Sequence, residues 1–359
     1  MKKELTRFIS PADKAFQYTG RIDFADEARP CFIYAGSSAA FRFRGTAFSV
    51  KLMNHHCCYR NYLGVVIDGS VQEKIEIERH GTELVLAAAK GLADAEHEII
   101  LYKCQDASHY FDFLGLYIEE GAALLPPPAR PARRMECYGD SVSAGEVSEA
   151  LDYVGRPDPE GHDGIYSNAW HSYAFITARR LNAELHDIAQ GGAALLNGTG
   201  YFHGPDYVGM ESIWDKLRYS DYLGVVTPWD FSRYTPHVVL IAIGQNDANP
   251  ENYMGKNAGK SAHWKSHYKA FVKKLRAKYP DALFVLSTTI LCHDAAWDDA
   301  IEEAVKEIAD PKTVHFLYSS NGCGTPGHIR RPEAEKMADE LTAFLESFGE
   351  KIWQDGGGH

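Results

Sequence analysis

Hydrophobic and polar positions follow two different periods along the 359 residues. From about residue 17 to 120 apolar side chains recur at every second position. Leu63, Val65 and Ile67 precede Asp68-Gly69, and Val71, Ile75 and Ile77 follow it. Alternation turns one face of an extended strand toward a core, and Asp-Gly tolerates the positive backbone angles of a tight turn, so this stretch predicts a hairpin. Phe41 and Phe43 share one parity, whereas Phe48, Val50 and Leu52 share the other. Gly45-Thr46 between them predicts a turn or bulge, because one extra residue swaps the faces of a strand. Ile100, Tyr102 and Cys104, then Leu114, Leu116 and Ile118, continue the alternation. Several strands with no helical segment between them predict a β-sandwich of jelly-roll type over residues 1–123.

Leu124-Leu125-Pro126-Pro127-Pro128-Ala129-Arg130-Pro131 breaks the pattern. Proline removes backbone donors and fixes φ, so residues 124–134 read as a stiff, extended connector. Beyond it, over 135–359, the period becomes helical. Trp170, Tyr173, Ala174, Ala178 and Leu181 share one face, as do Trp264, Tyr268, Phe271, Val272 and Leu275, and Ala334, Met337, Ala338, Leu341, Phe344 and Leu345. The apolar runs Leu185–Ala189, Val238–Ile243, Ala282–Leu286 and Val314–Tyr318 alternate with these faces. Short runs without polar alternation fit parallel strands buried on both sides, so this half predicts a doubly wound α/β domain.

Composition narrows the partners. A formal net charge of -12 disfavours nucleic acid and anionic membranes, which attract basic surfaces. No apolar run reaches membrane-spanning length, and Met1-Lys2-Lys3-Glu4-Leu5-Thr6 lacks the apolar segment of a secretory leader, so a cytoplasmic location is expected. Seven irregularly spaced cysteines favour free thiols over a disulfide framework. His55-His56-Cys57-Cys58 has metal-ligand chemistry, but neighbours on a strand point to opposite faces, and no metal is expected there. No phosphate- or dinucleotide-binding glycine loop is present, and no cofactor is expected. An exposed strand edge on the front domain is a candidate surface for pairing between copies. Low complexity is confined to the proline connector and the closing Gly356-Gly357-Gly358-His359.

Gly139-Asp140-Ser141 follows a predicted strand near Met135–Tyr138 and places a hydroxyl at a strand-to-helix turn. The same tripeptide also suits a simple helix N-cap. Gly244-Gln245-Asn246-Asp247 ends the run His237–Ile243, so Asn246 stands at the carboxyl edge of a central strand, where open α/β sheets gather ligands. Its amide can donate to an oxyanion or merely end the strand in an Asx turn. His328 precedes a helix predicted over Glu333–Phe348 with Pro332 in its first turn, and from that loop an imidazole reaches over the sheet edge. His293, just past another strand, is its rival.

These blocks, with Gly191-Gly192 and a histidine nine residues before Met337-Ala338, resemble the four signature blocks of the SGNH (GDSL-type) hydrolases. The front sandwich, the proline connector and Trp229-Asp230-Phe231-Ser232-Arg233 leading into Pro236-His237-Val238-Val239 resemble carbohydrate esterase family 2 over almost the whole chain. The resemblance implies Ser141 as nucleophile, His328 as base, and an oxyanion hole of the Ser141 and Gly191 backbone amides with the Asn246 side chain. Gly192 is an alternative register for Gly191. Asp140 and Asp247 are read as carboxylates bracing the two catalytic turns. Trp229 is the candidate sugar platform, with Tyr201 and Tyr207 as further substrate contacts.

The family usually carries an aspartate three residues before the histidine, and this chain has Thr325 there. A Ser-His dyad is therefore expected, with a backbone carbonyl holding the imidazole. The implied reaction is removal of O-acetyl groups from xylan- or mannan-derived oligosaccharides. The alternatives are a lipase or thioesterase of the same fold, disfavoured by the polar loop carrying Asp152, Arg156, Asp158, Glu160 and Asp163, and a catalytically silent sugar-binding protein. In ester-hydrolysis assays His328→Ala is expected to lose most activity and Thr325→Ala little; a large loss at Thr325 would make it a polar third member.

Overall fold

The computed structural model describes residues 4–78 and 81–355, so the glycine tail lies outside the described residues. One compact unit holds the described residues up to Arg130 together with Asp163–Ile165 and Leu217–Thr227. The other holds Pro131–His162, Tyr166–Lys216 and the described residues from Pro228 onward.

In the first unit β1 (Leu5–Ile9), β2 (Gln17–Thr19), β3 (Ile22–Asp23), β4 (Cys31–Phe32), β5 (Ser38–His56), β6 (Asn61–Ile67), β7 (Ser70–Val71), β8 (Ile75–Ile77), β9 (Glu83–Lys103), β10 (His109–Glu119) and β11 (Ala123–Leu125) join in one antiparallel hydrogen-bonded sheet. The expected hairpin is there: Ile67 pairs Ser70 across Asp68-Gly69. The parity change in β5 is a bulge and not a turn, since the register against β9 shifts between Gly45 and Ala47. Glu119 completes the bulge by accepting the Thr46 backbone N–H at 3.0 Å. Phe41, Phe43, Phe48, Val50 and Leu52 thereby all enter the same core. In β9 the expected parity is reversed, because Ile99 and Leu101 point into that core. Tyr102 is just as buried, packed over Gly64, where an added Cβ would meet its ring at 2.0 Å. Burial on both faces erased the alternation there.

In the second unit β12 (Arg133–Gly139), β13 (Ala183–Ala189), β14 (Val238–Ala242), β15 (Leu283–Ser287) and β16 (Thr313–His315) form a parallel sheet in the order β13-β12-β14-β15-β16. The helices are α1 (Tyr173–Arg180), α2 (Met210–Ile213), α3 (Ala258–Lys278), α4 (Ala296–Ile308) and α5 (Arg331–Glu346). Trp264, Tyr268, Phe271, Val272 and Leu275 are the buried residues of α3, as their spacing predicts. Trp170 falls outside α1, in a 3₁₀ turn over Ala169–His171, because extended Ser172 caps the helix by accepting the Phe175 N–H at 3.4 Å. The connector is shorter than expected: Leu124 and Leu125 pair with β5, and Arg133 and Arg134 already pair with β13. No described helix is long and apolar enough to cross a membrane.

Each residue of β14 is buried, Leu240 to 1% exposure. Leu240→Ala is expected to lower the unfolding free energy by about 2–5 kcal/mol in urea titrations; a cost below about 1 kcal/mol would mean that β14 is not packed as described.

Candidate active site

Parallel register brings three loops to one level. Gly139, the last residue of β12, pairs with Ala189 at the end of β13 and with Ala242 at the end of β14. The segments that follow, from Asp140, Gln190 and Gly244, therefore leave from the same carboxyl edge of the sheet. Ser141 is followed by consecutive turns and not by the expected helix. The Glu146 N–H donates to the Ser141 carbonyl at 2.9 Å, and Gly145 then takes φ +74°, which ends any helical course.

The Ser141 hydroxyl lies 2.9 Å from Nε2 of His328. The other ring nitrogen, Nδ1, lies 2.5 Å from Oδ2 of Asp158. The dyad expectation is thereby corrected: a carboxylate, and not a backbone carbonyl, holds the ring. Thr325 plays no part in this, since its hydroxyl is buried without a hydrogen-bond partner. Asp158 comes from the loop after Ser141. Its Oδ1 also accepts the His328 backbone N–H at 2.9 Å and faces the Arg330 guanidinium at 2.9 Å. Fully buried Arg330 further donates to the carbonyls of Pro157, at 3.2 Å, and His328. Glu333, in the first turn of α5, accepts the Gly155 N–H and the Arg330 N–H, both at 2.8 Å. The loop and the helix start are thus tied together. Gly327 makes this approach possible, because a Cβ there would stand 2.5 Å from the Arg156 carbonyl and 2.8 Å from Asp158 Oδ1.

Burial opposes the Asp158 charge, but the hydrogen bonds from His328 and the charges of His328 and Arg330 outweigh it and hold its carboxyl down to about 2. Burial likewise favours a neutral His328. The carboxylates of Glu146 and Asp158 overcome that, raising the imidazole to about 9.

Asp140 is fully buried, which pushes its carboxyl up to about 6. It accepts the Val142 N–H at 3.0 Å and the Gln245 amide at 2.9 Å. Gln245 in turn accepts from Thr289 at 2.9 Å, linking the turns after β12, β14 and β15. Asp247 braces a neighbouring loop and not its own turn: it accepts the Leu195 and Leu196 N–H groups at 2.8 and 3.1 Å and the Thr199 hydroxyl at 2.8 Å. Asn246 Nδ2 donates to the Ala193 carbonyl at 3.0 Å and lies 3.4 Å from Asp140 Oδ2, which sets it between the Ser141 and Gly191 segments. The Gly191 carbonyl accepts the Gln190 amide at 2.9 Å, while Gly192, at φ +75°, accepts the Tyr201 N–H at 2.8 Å.

Tyr201 is 62% exposed beside this glycine pair, and Tyr207 is half-buried further along the loop. The expectation for Trp229 is corrected. It is 5% exposed, packs on His186 of β13 and carries the Arg233 guanidinium 4.7 Å from its ring centroid, so neither face is open to a sugar. His293 has both ring nitrogens engaged, Nδ1 2.6 Å from the Leu291 carbonyl and Nε2 2.9 Å from Asp298. His55 faces Asp112 at 3.0 Å and His56 faces the Tyr59 carbonyl at 3.0 Å. Among the described residues no three or more His, Cys, Asp or Glu side chains gather to hold a metal.

Sequence reasoning missed the roles of Asp158, Arg330, Glu333 and Gln245. Asp158 sits in Pro157-Asp158-Pro159, and Arg330 and Glu333 have the spacing of a capping box at a helix start, signals that mark fixed geometry without naming a partner.

Residues 137–336 match the family model described as GDSL-like Lipase/Acylhydrolase family, and residues 18–128 match Carbohydrate esterase 2 N-terminal. Cellulase/esterase CelE of Acetivibrio thermocellus is 31% identical over 341 residues, covering 92% of this chain and 39% of that protein. The chain thus spans well under half the length of CelE. Acetylxylan esterase / glucomannan deacetylase of Cellvibrio japonicus is 27% identical over 357 residues, covering 95% of this chain and 90% of that protein. The solved structure of a family two carbohydrate esterase from Clostridium thermocellum in complex with cellohexaose superposes with a TM-score of 0.78 at 27% identity, over 94% of this chain and 100% of that one.

Asp247→Ala would strand two buried backbone donors and is expected to cost about 2–4 kcal/mol in urea unfolding. A cost near zero would show that Leu195 and Leu196 find other acceptors.

Proposed function

This chain belongs to the GDSL-like lipase/acylhydrolase family, in the form whose front domain is that of carbohydrate esterase family 2, and from that membership we propose a serine esterase that removes O-acetyl groups from hemicellulose-derived oligosaccharides of xylan or mannan. The observation that carries the reading is the line of contacts Ser141 Oγ to His328 Nε2 and His328 Nδ1 to Asp158, at 2.9 and 2.5 Å.

In this mechanism Oγ of Ser141 attacks the acetyl carbonyl as Nε2 of His328 takes the hydroxyl proton. Asp158 keeps the ring N–H at Nδ1, so the lone pair of Nε2 faces the nucleophile, and it balances the imidazolium that forms. The oxyanion is met by the backbone amides of Ser141 and Gly191 and by the Asn246 amide, which exchanges its long 3.4 Å contact with Asp140 Oδ2 for the oxyanion and keeps the one to Ala193. Nε2–H then protonates the leaving sugar oxygen, giving an acetyl-enzyme on Ser141. A water that gives its proton to Nε2 attacks this ester, and collapse of the second tetrahedral species releases acetate and returns the proton to Ser141.

The exposed ring of Tyr201 beside the glycine pair supports a sugar contact at the site's rim, replacing Trp229 in that role. The same reading makes the first unit a jelly roll; its support is a single apolar cluster drawing Phe41 and Phe48 from β5, Val65 from β6, Leu101 from β9 and Phe113 from β10.

Acetate release from acetylated xylo- and manno-oligosaccharides, beside hydrolysis of longer-chain esters, tests the activity. Acetate release is expected to dominate, and Asp158→Asn to lower kcat about 10²–10⁴-fold by leaving the imidazole in the wrong tautomer. Turnover of long acyl esters without acetate release from any acetylated sugar would overturn the substrate, and full activity of Asp158→Asn would restore the dyad.

A further inference from the structure

Glu146 lies five residues after Ser141 and is anchored to it, its N–H donating to the Ser141 carbonyl at 2.9 Å. Its side chain, 23% exposed, brings Oε2 to 3.8 Å from His328 Nε2, the nitrogen that also meets the Ser141 hydroxyl. Two carboxylates therefore face one imidazole from opposite ends, Asp158 at Nδ1 and Glu146 at Nε2. The other charged groups around the ring do not cancel this. Arg330 is bound to Asp158 Oδ1 at 2.9 Å and so offsets that carboxylate and not Glu146. Asp140, the fully buried residue before Ser141, adds a third acidic group acting on the ring in the same sense.

On the reading that His328 is the catalytic base, we infer that Glu146 is a positioning residue that sets the charge of His328 at its reacting nitrogen. In the attack step the Ser141 O–H bond breaks, an N–H bond forms at Nε2 and a C–O bond forms to the acetyl carbon. Glu146 takes no proton; its charge stabilises the imidazolium until the proton passes to the leaving sugar oxygen. The mechanism above makes Asp158 responsible for tautomer and orientation. Glu146 adds to the basicity that Asp158 also supports, and does so from the side where the chemistry occurs.

The sign of the pH dependence follows. The imidazole, ordinarily near 6.5, is raised to about 9, with Glu146 the first of the carboxylates that raise it. A base must be neutral to work, so kcat/KM rises with pH through this value and levels above it. Removing the Glu146 charge lowers the pKa. The acid limb then moves to lower pH, while the weaker base lowers the plateau.

Glu146→Gln tests this, with pH profiles of kcat/KM recorded on 4-nitrophenyl acetate and on acetylated xylo-oligosaccharides, for the wild type, Glu146→Gln, Glu146→Asp and His328→Ala. The acid limb of Glu146→Gln is expected to fall by about 1–2 pH units on both substrates, with an unchanged melting temperature and an intermediate limb for Glu146→Asp. An unmoved limb, or a defect confined to the KM for oligosaccharide, would overturn the proposal and make Glu146 a scaffold or a sugar contact. Retained activity in His328→Ala would instead overturn the assignment of the base.

Discussion

The carboxylate of Asp158 meets Nδ1 of the His328 ring, accepts the backbone N–H of His328 and faces the guanidinium of Arg330, and each contact fixes a different part of the site. The first sets the imidazole's orientation, the second its place along the chain, and the third the path of the loop that delivers the carboxylate. Glu333 then locks that loop to the start of α5 through Gly155 and Arg330. A buried guanidinium and a half-buried carboxylate are costly to desolvate singly, and here they meet each other while the two terminal nitrogens of Arg330 donate to Asp158 and to the carbonyls of Pro157 and His328. The arrangement leaves little freedom for the ring, which is what catalysis by an imidazole requires.

The rest of the site inherits its accuracy from the sheet. Level register at the ends of β12, β13 and β14 brings Ser141, the Gly191 segment and Asn246 into reach of one another. Asp140, Gln245 and Asp247 then tie each turn to a neighbour, so that no turn is positioned by its own strand alone. Turns fixed in this way hold their backbone amides in place whether or not a ligand is present, while the Asn246 amide rests on the Ala193 carbonyl at 3.0 Å and near Asp140 at 3.4 Å.

Much of this was legible in the sequence for identifiable reasons. Apolar runs such as Val238–Ala242 marked parallel strands because both of their faces are buried, and the parity change around Gly45 marked a turn or bulge because alternation is strict in a one-sided strand, with the register deciding for the bulge. The same reasoning failed at Ile99–Tyr102, where two buried faces left no alternation to read. Ser141 and His328 could be singled out because each sits at a fixed offset from a regular element, and the structure brings the two side chains to 2.9 Å of one another. Asp158 was not, since it lies in an irregular loop and its partner is 170 residues away in the chain. Loop carboxylates are common, and nothing local distinguishes one that meets an imidazole. Trp229 failed for the opposite reason, because an aromatic side chain next to a site is compatible with both burial and display, and here Arg233 and His186 cover it. The assignment of Leu217–Thr227 to the first unit likewise depends on contacts distant in sequence.

The tautomer of His328 follows directly from the Asp158 contact and is measurable by ¹⁵N NMR of the histidine rings in the intact protein, taken above the pH of about 9 at which the ring becomes neutral. The account predicts a proton on Nδ1 and a bare Nε2 facing Ser141. A neutral ring carrying its proton on Nε2 would contradict it, because Asp158 would then not be holding the base.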